Sequence, residues 1–222
     1  GSILTGKPIK WSESRSGWIQ AGFAARDYHA TSKAAFTKDG KLLALETDIV
    51  ADMGCDGAER ACGLGMPLNG GNYATGPYEC DTYRTRVRCV VTNKAPYNAY
   101  RGYGKDLANM LVERVIDQAA DKLEIDPVQI RKINLLKSYP HQIPTGPIIE
   151  NGTQRESLER LEEIMDLDLL RQKQAAYLEK GKYLGLSLIP YIEPAGATFP
   201  GSAFQNYESV NLRLAADGSL QV

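Results

Sequence analysis

Between Thr82 and Leu123 the hydrophobic repeat changes from two residues to four across one short turn. Residues 82–92 alternate: Tyr83, Thr85, Val87, Cys89 and Val91 point one way, Arg84, Arg86 and Arg88 the other. Successive side chains of a strand face opposite sides of a sheet, so this segment reads as a half-buried strand. Residues 105–124 instead repeat Leu107, Leu111, Val115, Ala119 and Leu123, a stripe down one side of a helix. A chain carrying both patterns back to back must lay a helix on a sheet. Residues 28–36 alternate more loosely, and in residues 42–52 Leu43, Leu45, Thr47, Ile49 and Ala51 share a face. Lys38-Asp39-Gly40-Lys41 joins these two strands, and Asp-Gly suits the positive φ angles of a type I′ turn. The expected fold class is α+β, a mixed β-sheet with helices packed on it.

Further along, Asp126-Pro127 opens a second helix, with Asp as N-cap and Pro in the first turn. Val128, Ile130, Ile133 and Leu136 supply its apolar contacts, and residues 139–147 form a proline-rich loop. Thr153-Gln154-Arg155-Glu156 is a capping box for a third helix, which breaks near Asp166 to Asp168, resumes to Lys180 and ends at Gly181. Residues 184–192 and 207–214 are expected strands. Asp217-Gly218 is a hairpin turn, and residues 219–222 begin a return strand that should pair with 207–214. Residues 53–77 are rich in glycine and carry Asn69, Gly70, Gly71 and Asn72. They are long for a structureless loop, so they form either a functional loop or a surface excursion holding a short helix. Gly1-Ser2 reads as a tag remnant and the last strand is cut short, so residues 1–222 are expected to be one fragment of a longer polypeptide.

Composition narrows the function. The net charge of −1 argues against a polyanion-binding surface, so nucleic acid is not an expected partner. No apolar run approaches the roughly 20 residues of a membrane span. The four cysteines, Cys55, Cys62, Cys80 and Cys89, form no C-x-x-C pair, and the only histidines are His29 and His141. No side-chain metal site is expected from such scattered ligands. Free thiols in a reducing cytoplasm are the favoured reading, although the count alone allows two disulfides. The sequon at Asn151 is read as a chance match. Arg84, Arg86 and Arg88 could bind an anion; a solvated face, or pairing with acids on a neighbouring element, is favoured.

The turn between strand and helix holds Tyr100, Arg101, Gly102, Tyr103 and Gly104. The glycines permit close approaches, and a helix N-terminus points back at them, the makings of an anion or oxo-ligand site. Arg101 adds a fixed charge and a fork of donors, and the tyrosines add flat apolar faces. By itself the local pattern favours a plain tight turn with Arg101 packed against acids. No phosphate-loop template fits: Ala99 stands where a P-loop needs glycine, and Asp106 replaces Ser/Thr. The stretch from Gly63 to Leu68 lacks the third glycine of a dinucleotide fingerprint.

Thr92-Asn93, Pro96, the Tyr100 to Gly104 run, Asp126-Pro127, Arg131 and Asn134 together resemble the molybdenum-cofactor-binding large subunit of the xanthine dehydrogenase/aldehyde oxidase family. The segments around Lys7-Pro8, residues 39–54 and residues 217–222 are similar as well, so the resemblance covers nearly the whole chain. It implies a parent that hydroxylates an aldehyde or N-heteroaromatic small molecule with water-derived oxygen, alongside iron–sulfur and flavin subunits or domains. It also implies Arg101 as a catalytic residue beside the molybdenum, Tyr100, Arg101 and Gly102 as cofactor contacts, and Tyr103 and Asn69 as substrate contacts. Asn69 falls roughly where purine oxidisers carry a second arginine, which argues against a purine. The carbon monoxide branch has a cysteine after the arginine, where this chain has Gly102. The family's catalytic glutamate, its Gly-Gly-Phe-Gly-Gly motif and its Gly-Gln contacts fall outside these residues. Molybdopterin is therefore expected in the intact parent and not in the isolated fragment. The alternatives are a non-catalytic assembly module or an anion-binding module of the same fold.

Overall fold

The computed structural model describes residues 1–55, 62–193 and 210–222. Two short helices, α1 (Ser2–Thr5) and α2 (Arg15–Ala21), precede strands β1 (Tyr28–Phe36) and β2 (Leu42–Asp52). Helix α3 (Cys62–Asn72), strand β3 (Thr82–Val90), and helices α4 (Lys105–Leu123) and α5 (Pro127–Asn134) follow. The remainder comprises β4 (His141–Gln142), β5 (Ile148–Ile149), α6 (Gln154–Ile164), α7 (Leu167–Leu178), β6 (Arg213–Leu214) and β7 (Leu220–Gln221). The main sheet runs β1-β2-β3, with β1 antiparallel and β3 parallel to β2. It is the expected mixed sheet with helices on it.

Parallel neighbours need a crossover, and α3 supplies it. Among residues 53–77, the described helix is thus not a surface excursion: Met66, Asn69, Gly70 and Gly71 of α3 are buried. The glycines let α3 sit at backbone distance from its neighbours. A Cβ on Gly70 would lie 2.8 Å from Leu107 Cδ2, and one on Gly71 2.8 Å from Thr85 Oγ1. The Tyr83 hydroxyl donates to the Gly71 carbonyl at 2.5 Å, tying α3 to β3.

Both Asp-Gly turns form hairpins, but not of type I′. Gly40 and Gly218 have positive φ, while Asp39 and Asp217 do not. In each, the glycine N–H donates three residues back, to Thr37 O and to Ala215 O, and a second bond closes the loop one residue later. This five-residue geometry asks left-handed backbone of the glycine alone. A register shift between Ala35 and Phe36 makes Leu43 the extra residue of a bulge. Leu43 is therefore exposed, and Leu42 is buried in its place. From Leu45 to Ala51 the expected face holds.

The α4 stripe packs Leu107, Leu111, Val115 and Ala119 inward, joined by Ala108, Val112, Ile116 and Ala120. Each fully buried Leu, Ile or Val side chain in this core contributes about 1.5–3 kcal/mol relative to exposure. Asp126 Oδ1 caps α5 by accepting from Val128 N and Gln129 N. Two polar residues of α5 are buried. Asn134 Nδ2 donates to Gly40 O and its Oδ1 accepts from Leu42 N, each at 2.7 Å, which clips the β1–β2 hairpin to the helix. Arg131, 1% exposed, donates to Glu113 from two nitrogens (2.9 and 2.6 Å), to Asp117 and to Pro127 O. Tyr78 completes the cluster by donating to Glu113 at 2.5 Å.

Two further expectations change. Thr153 (φ −125°, ψ 24°) makes no side-chain cap to α6, because its backbone is not extended and its Oγ1 lies instead against Ser157 Oγ. The helix does break at Asp166, which caps α7 through Leu169 N, and Gly181 (φ 66°) follows its end. Residues 184–192 are not a strand, yet burial alternates along them, with Leu188 and Ile192 buried. Among the described residues no sheet edge pairs with this segment. The return strand β7 pairs with β6 as expected; residues 207–209 of the expected 207–214 strand lie outside the described residues.

Candidate functional site at the Arg101 turn

The turn sits where α4 leaves the sheet, above a small core of Ala51, Met53, Met66 and Tyr97. Tyr103 N–H donates to Tyr100 O and Lys105 N–H to Gly102 O, so residues 100–105 form two overlapping turns. They require left-handed backbone at Gly102 (φ 98°), Tyr103 (φ 45°) and Gly104 (φ 89°). A Cβ on Gly104 would stand 1.9 Å from the Met66 carbonyl, so only glycine lets the turn rest on α3. Asn69 is buried on α3, and its Nδ2 donates to the Tyr103 carbonyl at 3.2 Å. The structure thus brings Asn69 and Tyr103 together across 34 residues, with the amide directed at the back of the turn.

Arg101 is exposed, and its side chain has no hydrogen bond or ion pair among the described residues. The expectation that local acids would neutralise it is not met. The nearby acid, Asp106, is taken by Arg26 at 2.6 Å. The N–H groups of Arg101 and Gly102 likewise have no acceptor among the described residues. The start of α4 is less open than its sequence implies. Asp106 lies in its first turn and its Oδ1 accepts from Gly104 N at 3.2 Å, so a carboxylate already occupies part of the dipole's positive end.

Tyr100 is 60% exposed, with the Arg26 guanidinium 4.6 Å from its ring centroid. Tyr103 is half-buried against α3, and a Cβ on Gly65 would meet its hydroxyl at 2.1 Å. Lys105 places its ammonium 5.4 Å from the Tyr103 ring and 5.8 Å from that of Tyr73, and burial lowers its pKa. Beneath the turn the Tyr97 hydroxyl is hydrogen-bonded to that of Tyr28, and burial, then this contact, raises the Tyr28 pKa. Sequence reading passed over Arg26, Asp106 and Lys105. Asp106 and Lys105 adjoin the motif, but Arg26 lies 75 residues away with no local signal.

The other candidates are accounted for. Arg86 and Arg88 both pair with Asp48, at 3.6 and 2.7 Å, and hold its carboxyl below the usual range, so that face follows the favoured reading. Cys55, Cys80 and Cys89 are free thiols. Among the described residues no three His, Cys, Asp or Glu side chains converge as metal ligands, and no helix is long and apolar enough to cross a membrane.

Comparison with known proteins matches residues 1–135 to the family model of the molybdopterin cofactor-binding domain. The carbon monoxide dehydrogenase large chain of Hydrogenophaga pseudoflava is 33% identical over 205 residues, covering 88% of this chain and 25% of that relative. The nicotine 6-hydroxylase large subunit of Paenarthrobacter nicotinovorans is 28% identical, covering 85% and 23%. Among solved structures, quinoline 2-oxidoreductase from Pseudomonas putida 86 aligns with a TM-score of 0.75 at 29% identity, over 81% of this chain and 23% of its own. The chain spans about a quarter of the length of the curated relatives it matches. In sequence motif, fold and family match alike, it belongs to the molybdopterin cofactor-binding domain family of the xanthine dehydrogenase and aldehyde oxidase type.

Proposed function

We propose that the chain is part of a cytoplasmic molybdenum hydroxylase that oxidises an aldehyde or N-heteroaromatic substrate with water as the oxygen source. The carrying observation is the exposed guanidinium of Arg101, without a partner among the described residues, on a turn held by Arg26, Asn69 and Asp106. A charge held in place without an internal counter-ion is available to an external one. Aromatic N-heterocycles in the names of two relatives, nicotine and quinoline, favour a ring substrate. Gly102 in place of a cysteine disfavours carbon monoxide.

The donors present fit the cofactor. The adjacent N–H groups of Arg101 and Gly102 are without acceptors among the described residues, which suits an oxygen-bearing anionic group, and the fork of Arg101 adds charge. Tyr100, Arg101 and Gly102 would contact it. When bound, the cofactor supplies the redox chemistry of the hydroxylation. Arg101 stabilises negative charge that grows on the substrate, Tyr103 orients it, and Asn69 supports that side from α3. Iron–sulfur and flavin subunits or domains of the parent would carry electrons away.

The test is steady-state kinetics of the intact parent, normalised to bound molybdenum. Arg101→Ala is expected to lower kcat/KM by about 10²–10³, the scale of losing one transition-state donor. Arg101→Lys should restore only part, since an ammonium lacks the planar fork. Unchanged activity per molybdenum, with reduced thermal stability, would make Arg101 structural and sink the assignment.

A further inference from the structure

One residue outside the motif grips the turn at three points. From Nε, Arg26 donates to Asp106 Oδ2, and from Nη2 to the backbone carbonyl of Arg101, both at 2.6 Å. Its guanidinium plane also covers the Tyr100 ring. These partners lie at both ends of the turn, and Asp106 passes the contact on to Gly104 N. The approach is guided by backbone: Ala24 N donates to Pro96 O and Asn98 N to Ala24 O, so residues 24–26 run beside the segment entering the turn. Arg26 is also one of three non-glycine residues with positive φ (65°) among the described residues. Such backbone is unfavourable for a residue bearing a Cβ and persists where surrounding contacts over-determine it.

The grip adds little to global stability. The Arg26–Asp106 pair is partly exposed, 44% and 31%, and exposed pairs are screened by solvent. Its effect is directional: the carbonyl of Arg101 is held toward Arg26 and one face of the Tyr100 ring is covered, while the Arg101 side chain stays exposed and the Arg101 and Gly102 N–H groups stay without acceptors among the described residues. Lysine could keep the charge but could not serve carboxylate, carbonyl and ring together.

We propose that Arg26 is a positioning residue for Arg101, acting on the reaction only through the geometry of this turn; the kinetic half of the claim rests on the role proposed for Arg101 above. Its structural half is tested without cofactor chemistry, by amide hydrogen exchange of residues 103–105 in the intact parent. Arg26→Ala should accelerate exchange there by about tenfold or more, through loss of the contacts that hold the turn closed, while β1, β2 and the distal half of α4 keep their rates. Arg26→Lys should stay closer to the alanine variant than to wild type. In kinetics per bound molybdenum, Arg26→Ala should lower kcat by about 10–100-fold, the cost of misplacing a catalytic group by an ångström or less. In an Arg101→Ala background it should lower kcat no further. Unchanged exchange at 103–105 overturns the proposal, as does full recovery by lysine, or additive losses in the double variant. If Arg26→Ala loosens the turn and Arg101→Ala itself leaves activity intact, the assignment of Arg101 has failed, and the kinetic half of this proposal with it.

Discussion

Replacing Arg131 by methionine removes the one cation among the described residues in contact with Glu113, a carboxylate 4% exposed that also accepts from the hydroxyl of Tyr78. Stranding one member of a buried ion pair costs about 3–5 kcal/mol. For a chain of this length each kcal/mol moves Tm by about 2–4 °C, so the drop should be about 6–20 °C. Burial already raises the Glu113 pKa, and loss of the guanidinium raises it further. A carboxyl whose folded pKa exceeds its unfolded value lends stability that is present below the unfolded pKa and lost as pH rises through the folded one. The deficit of the variant should therefore be larger at about pH 8 than at about pH 5. Replacing the whole cluster, as Tyr78→Phe/Glu113→Leu/Arg131→Met, should recover most of the loss, because an apolar substitute leaves no charge stranded; Asp117 is partly exposed and can turn to water. Urea and thermal unfolding of the three proteins at both pH values provide the measurement. A single-variant loss under about 1 kcal/mol, or a triple variant no better than the single, would refute the claim that this cluster is held by charge compensation.

Asn134→Ala should cost about 2–3 kcal/mol by leaving Leu42 N and Gly40 O buried without partners, with faster amide exchange at Leu42 as the local sign. Asp52, bonded to Lys94, Thr92 and Gly54 N, has its pKa lowered to about 2. It stabilises the fold above its unfolded pKa and loses that contribution as pH falls toward about 2; an acid titration of Asp52→Asn should be flatter across that window, and an unchanged acid limb would discount the interaction.

The elements legible in sequence were those whose burial follows their own period. Strand β2 and the stripe of α4 show one face each, β3 alternates only from Tyr83 to Val87 while the expected Cys89 and Val91 are exposed beyond it, and Asp126-Pro127 carries its cap in its own side chain. Helix α3 was only one of two alternatives because its glycines and Pro67 are poor helix formers; Gly70 and Gly71 serve closeness to Leu107 and Thr85 rather than propensity. The spacing of Met66, Asn69 and Tyr73, all buried, was the available signal. Residues 184–192 show the converse: alternation reports which side chains are buried, but a strand also needs a neighbouring edge, which no local pattern encodes. At the site, Arg101 and its flanking glycines were legible as a motif. What holds them, Arg26 and Asn69, comes from segments 75 and 34 residues away, and such contacts leave no periodic trace. Arg131 and Asn134 were visible as motif letters; their burial and partners emerge only from the packed structure.

The crossover through α3 also orders events in time. The β1–β2 hairpin closes over five residues, whereas β3 must reach β2 across the crossover that holds α3, and the Arg26 clamp on the Arg101 turn closes a larger loop still. Loop-closure entropy is spent before distant contacts return it, so local elements form first. The Arg101 turn should be among the last segments to become ordered in folding. Pulse-labelled refolding should find the amides of residues 103–105 protected after those of β1 and β2, and simultaneous protection would exclude this sequence of events. A newly made chain would then spend its earliest folded-like moments with a scaffold in place and the Arg101 turn not yet assembled.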